Sequence, residues 1–170
     1  MTELTAAVLT VSDRAHRGEY EDRSGPAAVA ALTALGFEVV EAKVVPDGVE
    51  SVATAIAELA ASAALVVTTG GTGMAGRDLT PEATRQVIDR EAPGFSEAMR
   101  AATFGRMPYG MLSRGVSGIV GRTLVVNLPG SVAGVEEGIA VIGPALRHAV
   151  ELLVAERTDH HSPSVASRET

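Results

Sequence analysis

The first seventy residues alternate between two kinds of apolar pattern. Segments 27–35 and 49–62 repeat apolar residues at helical spacing and predict helices, while the polar stretch 14–23 predicts a loop. Runs rich in β-branched residues predict strands at 4–11, 37–45 and 65–69. A strand–helix–strand–helix–strand order predicts parallel strands joined by right-handed crossovers, in a sheet that helices cover on both faces.

The second half of the chain predicts further helices and one hairpin. Strands at 116–120 and 123–127 flank Gly121 and Arg122, a two-residue spacing typical of a β-hairpin. Helical segments are expected at 81–91, 95–104, 132–141 and 145–156, with Gly143 and Pro144 separating or kinking the last two. The expected fold is a three-layer α/β/α sandwich with a mostly parallel twisted sheet and one antiparallel strand.

Polar or glycine-rich loops follow each of the three predicted parallel strands. Ser12 and Asp13 follow the first strand, Asp47 follows the second, and Gly70 to Gly73 follow the third. The carboxyl ends of parallel strands lie at one edge of a sheet, where ligands of such sheets bind, so we expect these loops to meet there. Ser12 and Asp13 could contact a substrate at this edge, although Ser-Asp after a strand is also a common turn pair.

The loop after the third strand is the stretch around which the chain is organised. Glycine tolerates positive φ and can turn backbone N–H groups toward an anion, which predicts a phosphate cradle at Gly70, Gly71, Thr72 and Gly73. Thr80 offers an N-cap oxygen and Pro81 suits the first helical position, so a helix is expected to begin there. From the glycines alone, a tight strand-to-helix turn without a ligand is the better interpretation.

Two aspartates and a second helix-entry turn complete the candidate site. Asp47 and Asp78 could share one Mg²⁺, which proteins usually hold through one or two carboxylates, water and substrate phosphates. Two aspartates that only cap backbone N–H groups would fit the spacing equally well. Free N–H groups at a helix entry also suit an anion, and such a turn is predicted at Pro129, Gly130 and Ser131.

Composition narrows the class of protein. The chain has 170 residues, 46% of them hydrophobic, so one domain with a sizeable core is expected. It contains no cysteine, which excludes disulfides and a thiolate nucleophile. The net charge of −7 argues against broad nucleic-acid binding. A polyanionic substrate would need local positive charge, for which the candidates are Arg14, Arg17, Arg77 and Arg114. Taken singly, each of them is better interpreted as an ordinary solvated surface arginine.

The ends of the chain and its hydrophobicity suggest a location and a domain boundary. No apolar run approaches the roughly 20 residues of a membrane helix, and the N-terminus lacks the pattern of a secretory signal. These features favour the cytoplasm, without membrane attachment. Residues 1–156 are expected to form one domain, and the polar, Ser-rich residues 157–170 are expected to form a flexible tail.

Several motifs together resemble the molybdopterin adenylyltransferase family, which includes the G domain of gephyrin. They are TTGGTG at 68–73 followed by RDLTPE at 77–82, with TVSDR at 10–14, VVPD at 44–47 and NLPGS at 127–131. The resemblance runs from about residue 4 to residue 156. It implies a molybdopterin-binding domain that transfers AMP from Mg-ATP to the terminal phosphate of molybdopterin, with release of pyrophosphate and with Mg²⁺ as the cofactor.

The resemblance also implies roles for single residues. Asp47 and Asp78 match the aspartates that the family uses for catalysis. Ser113 matches a serine of the family's pterin-phosphate site, and Arg114 beside it could neutralise the phosphate. Family relatives form trimers, so a homotrimer is expected, with part of segment 107–112 at its interface. The alternatives are a non-catalytic molybdopterin-binding or scaffold protein of the same family and a generic anion-binding α/β domain.

Overall fold

Among the residues that the structure describes, 4–155, six strands form one sheet with helices on both faces. The structure is a computed structural model. Its strands are β1 (Thr5–Val11), β2 (Glu38–Val45), β3 (Leu65–Thr69), β4 (Arg90–Glu91), β5 (Ser117–Val120) and β6 (Thr123–Leu128). Its helices are α1 (Asp13–His16), α2 (Ser24–Ala34), α3 (Val49–Ala60), α4 (Thr80–Val87), α5 (Gly94–Thr103) and α6 (Val132–Ala155), with a 3₁₀ helix at Pro108–Leu112.

The sheet has the strand order β2-β1-β3-β6-β5-β4. Strands β2, β1, β3 and β6 pair in parallel. Strand β5 is antiparallel to β6 and to β4, so it alone runs against the other described strands. The β5–β6 hairpin turns at Gly121, whose φ of 57° is readily available to glycine. A mostly parallel sheet with one antiparallel strand is therefore confirmed.

Two hydrophobic cores lie on opposite faces of the sheet. Side chains alternate along a strand, so β1 directs Ala6 and Val8 into one core and Ala7 and Leu9 into the other. Helices α2, α5 and α6 pack on the first face, and α3 and α4 pack on the second. Every residue of β3 is buried, as expected for a central strand covered on both sides. The predicted three-layer sandwich is confirmed.

Two predicted element boundaries are wrong, the first because of a local helix cap and the second because of pairing with a distant strand. The predicted loop 14–23 begins with α1, because the Ser12 Oγ accepts a hydrogen bond from the Ala15 N–H at 3.2 Å and caps a helical turn. The predicted helix 81–91 ends at Val87. Residues 90–91 instead pair with β5 and extend the sheet. Pairing with a distant strand cannot be predicted from the local spacing of apolar residues.

Helix α6 runs through Pro144 as one helix, so the predicted separation into two helices is wrong. Ile142 and Leu146 are buried on either side of it, and Gly143 packs closely against the Leu35 side chain. Tertiary packing therefore supports one 24-residue helix. By length and composition alone α6 could cross a membrane, which corrects the expectation that no apolar run is long enough. Residue 156 and the predicted tail 157–170 lie outside the described residues.

Candidate functional site

The parallel register brings the predicted loops to one edge of the sheet. Val11 at the end of β1 pairs with Val45 at the end of β2. Thr69 at the end of β3 pairs with Thr10 on one side and with Leu128 at the end of β6 on the other. The loops that begin at residues 12, 46 and 70 therefore leave the sheet together, as predicted, and the loop that begins at residue 129 joins them. The carboxyl edge of a parallel sheet is the usual ligand-binding edge of such folds.

Asp13 and Asp47 bind each other's backbone across this edge. The Asp13 N–H donates to Asp47 Oδ2 at 2.9 Å, and the Asp47 N–H donates to Asp13 Oδ1 at 3.1 Å. The other Asp13 oxygen pairs with the guanidinium of Arg77, an exposed side chain from the loop after β3. This reciprocal link holds the loops after β1 and β2 together and fixes the carboxylate of Asp47. Sequence analysis did not find it, because the two residues are 34 positions apart.

The glycine loop has the backbone conformation that its sequence predicted. Gly70 and Gly71 have φ values of 96° and 64°, in the region that glycine adopts readily. The N–H groups of Gly71, Thr72 and Gly73 donate no hydrogen bond to any group in the described part of the chain. Consecutive backbone N–H groups of this kind suit a phosphate or another anion.

Thr80 fastens the glycine loop instead of capping the helix. It is the first residue of α4, and the preceding N-cap position, Leu79, makes no side-chain capping bond. The Thr80 hydroxyl donates to the Gly70 carbonyl at 2.9 Å, and the Thr80 N–H donates to the Gly71 carbonyl at 3.1 Å. The expected N-cap is therefore wrong, although Pro81 does lie in the first turn as predicted.

Asp78 is half-buried at the far end of the same loop. Its Oδ2 accepts a hydrogen bond from the Ala75 N–H at 2.9 Å. Gly73 lies so close that a Cβ added there would be 2.8 Å from this oxygen and would have to displace the Asp78 carboxylate. The carboxylate of Asp78 is thus packed against the predicted phosphate cradle.

Arg114 connects the Ser113 segment to the glycine loop. Its backbone N–H donates to the Thr72 carbonyl at 2.8 Å, and its Nε donates to the Gly73 carbonyl at 2.8 Å. The guanidinium also binds the Asp78 carbonyl and both carboxylate oxygens of Glu82 in α4. The hydrogen bond from Arg114 holds the pKa of the Glu82 carboxyl below its ordinary value, and the same bond raises the pKa of Arg114. Glu82 ends the RDLTPE motif, but nothing in the sequence predicted its pairing with Arg114, 32 positions away.

The turn after β6 closes against the glycine loop. A Cβ on Gly130 would lie 3.1 Å from the Gly70 Cα, so the two loops touch through backbone. The Thr69 hydroxyl donates to the Pro129 carbonyl at 2.8 Å, and Ser131 Oγ accepts from the Gly134 N–H at 3.1 Å. Ser131 therefore caps the start of α6, which is the helix entry that the sequence predicted.

A cleft of about 390 Å³ opens beside these loops. Ser12, Gly70, Gly130 and Ser131 line it together with Tyr20 and Asp22. Asp22 was missed by sequence analysis. Its carboxylate accepts hydrogen bonds from the Thr10 hydroxyl at 2.7 Å and from the Gly25 N–H at 2.9 Å, so it fixes the wall of the cleft.

Ser113 and Arg114 line a second cleft, of about 370 Å³. Arg85 and Arg100 line it too, together with Glu91, whose carboxylate lies 3.7 Å from Arg85, so three arginines and one carboxylate face this cleft. Arg100 Nη1 donates to the Gly115 carbonyl at 2.9 Å and so shapes the floor of this cleft. The predicted binding residues that line a cleft are therefore divided between two clefts, which share no lining residue.

The remaining candidate arginines have partners on the surface. Arg17 pairs with Glu19 at 2.7 Å, and both side chains are exposed. The Arg14 guanidinium lies 5.1 Å from the centre of the Tyr20 ring. Exposed pairs of this kind contribute little to stability, so these side chains can exchange their partners for a ligand at low cost.

The two candidate metal ligands fit Mg²⁺ in part. Asp47 and Asp78 each have one carboxylate oxygen that accepts no hydrogen bond from the residues of the described range. One or two such carboxylates, with substrate phosphates and water, are what Mg²⁺ requires. Within residues 4–155, no group of three or more His, Cys, Asp or Glu side chains could form a complete protein cage. A Mg²⁺ shared by the two aspartates stays a prediction.

Comparison with protein families gives one match over most of the chain. Residues 7–148 match the family described as "Probable molybdopterin binding domain". The molybdopterin adenylyltransferase of Helicobacter pylori strain J99 is 37% identical over 158 residues, which cover 91% of this chain and 90% of that protein. Gephyrin of Dictyostelium discoideum is 37% identical over 162 residues. The match covers 89% of this chain and only 23% of gephyrin, so the chain spans about a quarter of that relative.

Comparison with solved structures agrees with the sequence matches. The molybdopterin biosynthesis enzyme MoaB of Thermus thermophilus superposes with a TM-score of 0.85 and is 42% identical. The superposition covers 89% of this chain and 97% of that one. The resemblance that the motifs predicted is therefore confirmed over nearly all of the described residues.

Proposed function

The chain belongs to the family of probable molybdopterin-binding domains, and we propose that it is a molybdopterin adenylyltransferase of molybdenum cofactor biosynthesis. In the proposed reaction, an oxygen of the terminal phosphate of molybdopterin forms a bond to the α-phosphorus of ATP. The bond from that phosphorus to the bridging oxygen of the β-phosphate breaks, and pyrophosphate leaves with the electron pair. The products are adenylyl-molybdopterin and pyrophosphate.

The observation that carries this proposal is the match over 91% of the chain to a molybdopterin adenylyltransferase, together with the N–H groups of the glycine loop. Transfer of a nucleotidyl group needs no protein nucleophile, because catalysis consists mainly of positioning and charge stabilisation. The carboxyl edge provides both, in the backbone donors of Gly71 to Gly73 and in the carboxylates of Asp47 and Asp78.

The residues of this chain have separate tasks in the proposed reaction. The N–H groups of Gly71, Thr72 and Gly73 bind phosphate oxygens of ATP. Asp13 holds the backbone of Asp47 and so orients its carboxylate toward the edge. Asp47 and Asp78 would hold Mg²⁺, which supplies positive charge to the phosphates when it is bound.

The positively charged cleft is the proposed place of the pterin phosphate. Ser113 can donate a hydrogen bond to it, and Arg85 and Arg100 lie on the same walls. The residues proposed to contact ATP lie at the carboxyl edge of the sheet. One of them, Thr72, is joined to Arg114 by a backbone hydrogen bond. In this arrangement ATP and molybdopterin would approach the glycine loop from different sides, each with its phosphate toward the loop.

We further propose a cytoplasmic homotrimer that binds neither nucleic acid nor membranes. Apolar side chains of the 3₁₀ helix and its neighbours are exposed, and such patches often mark protein interfaces. They include Phe104, Met107, Tyr109, Met111 and Leu112. A trimer interface at segment 107–112 would cover most of them.

An assay of pyrophosphate release tests the proposal. The protein should release pyrophosphate from Mg-ATP only when molybdopterin is present, and mass spectrometry should find adenylyl-molybdopterin in equal amount. Binding of molybdopterin without turnover would indicate the non-catalytic scaffold instead. Binding of phosphate without preference for the pterin would indicate a generic anion-binding domain.

A further inference from the structure

One side chain ties together both ends of the glycine loop and the helix that follows it. Arg114 lies outside the loop, yet it binds the carbonyls of Gly73 and Asp78 and the carboxylate of Glu82. We propose that Arg114, held by Glu82, is a positioning residue that sets the place of Asp78 for the adenylyl transfer. This inference rests on the proposed function, in which Asp78 acts on the reacting phosphates.

The loop needs such support because little else holds it. Residues 74–77 are exposed, and the loop has glycine at positions 70, 71, 73 and 76. Between residues 72 and 79, the contacts inside the loop are local turns, such as the bond from the Asp78 N–H to the Ala75 carbonyl at 3.0 Å. Apart from the Arg114 side chain, two described contacts join this stretch to distant elements. The Arg114 backbone N–H donates to the Thr72 carbonyl at 2.8 Å, and Arg77, which is 71% exposed, pairs with Asp13.

The geometry requires arginine. A guanidinium has five N–H donors in a rigid fork, whereas a lysine ammonium is a single point on a flexible stem. Four of these donors have acceptors here, namely two backbone carbonyls and the two oxygens of Glu82. Glu82 in α4 thereby fixes the plane of the guanidinium, and the guanidinium fixes the carbonyls of Gly73 and of Asp78 itself.

The same contacts distinguish positioning from direct phosphate binding. Most of the donors of Arg114 are used inside the protein, so its main effect on a substrate passes through the loop. A residue that acts through Asp78 should lose its influence once the carboxylate of Asp78 is removed. Partners that orient a ligand of the reaction centre are typically worth about 10–100-fold in activity.

The test compares Arg114→Gln, Arg114→Lys and Glu82→Gln, with Arg147→Gln as the matched control. Arg147 pairs with Glu151 at 3.0 Å on the exposed side of α6, which packs on the opposite face of the sheet from α4. We expect Arg114→Gln to lower kcat for adenylyl transfer by about 10–100-fold with little change in KM for ATP. Arg114→Lys should lie between it and the wild type, and Arg147→Gln should leave kcat unchanged.

A double variant gives the sharpest outcome. In the Asp78→Asn background, Arg114→Gln should cause little further loss of kcat, because both changes remove one function. Full multiplication of the two losses would overturn the inference, and so would a raised KM with unchanged kcat, which indicates direct substrate contact. If Arg114→Gln does not fold, Arg114→Lys provides the same comparison.

Amide hydrogen exchange separates this inference from the proposed function. In Arg114→Gln the Ala75 amide, which is bonded to Asp78, should exchange faster, while amides of β3 should not. If the wild type transfers no AMP, the proposed function fails, and exchange alone decides whether Arg114 holds the loop. Unchanged exchange at Ala75 would then overturn the positioning role.

Discussion

Gly70 follows the end of strand β3, begins the glycine loop and lies close to the neighbouring strand β1. Its φ is 96°, and a Cβ built on it would lie closer than 3.0 Å to the carbonyl oxygen of Val11. Val11 is the last residue of β1 and is paired with β2, so its carbonyl cannot move aside without disturbing the sheet. We therefore expect Gly70→Ala to combine backbone strain with a steric clash.

The expected loss of stability in Gly70→Ala is the sum of the backbone strain and the steric clash. A positive φ costs a residue with a Cβ about 1–2 kcal/mol, and overpacking against fixed atoms costs about 1–3 kcal/mol. The free energy of unfolding should fall by about 2–5 kcal/mol in total. In a protein of this size that corresponds to a decrease in Tm of at least about 4 °C.

Urea unfolding followed by circular dichroism measures the loss, with two glycines as controls. Gly18 has a φ of 71° but no heavy atom within 4 Å of an added Cβ, so Gly18→Ala should cost only the strain term. Gly76 has neither a positive φ nor a close neighbour, and Gly76→Ala should change stability by less than about 0.5 kcal/mol. Equal losses for Gly70→Ala and Gly18→Ala would refute the close approach to β1, and no loss at Gly70 would refute both terms.

Three further predictions concern the surroundings of the site. Asn127→Ala should cost about 1–3 kcal/mol in urea unfolding, because the buried Val116 N–H loses its acceptor; wild-type stability would contradict this. Folding lowers the pKa of Glu82, so its stabilisation is complete above about pH 4.3 and is lost as the pH falls through the lower value. Glu82→Gln should reduce stability at pH 7 and flatten its loss in acid, whereas an unchanged acid limb would contradict the assignment. Tyr109 and Met111 are 75% and 58% exposed, and the double variant Tyr109→Lys, Met111→Lys should convert the trimer into smaller species in analytical sedimentation. A wild type that is only monomeric at micromolar concentration would exclude the interface.

The sheet could be predicted because its signals are local. The run at β3 is buried on both faces and therefore consists of continuous apolar and β-branched residues. The two-residue spacing at Gly121 marks the hairpin, and both strands of that hairpin are present. Parallel strands share one carboxyl edge by geometry, so the loops of Asp13, Asp47 and Gly70 could be placed together from the sequence alone.

The contacts within the site could not be predicted because they depend on register and distant packing. Asp13 and Asp47 bind each other only because β1 and β2 end at the same level. Arg114 and Glu82 are 32 residues apart, and no pattern links them. Helix α6 continues through Pro144 because buried neighbours on both sides compensate for a residue that interrupts helices by its own chemistry.

The central claim is that carboxylates at the sheet edge serve adenylyl transfer, and Asp78→Asn tests it most directly. The amide keeps the size of the side chain and removes its charge. In a single-turnover assay with ATP labelled at the α-phosphorus, the wild type should transfer label to molybdopterin. Asp78→Asn should do so about 10²–10³-fold more slowly while binding molybdopterin with unchanged affinity. A wild type that transfers no label, or an Asp78→Asn variant with wild-type rate, would contradict the account.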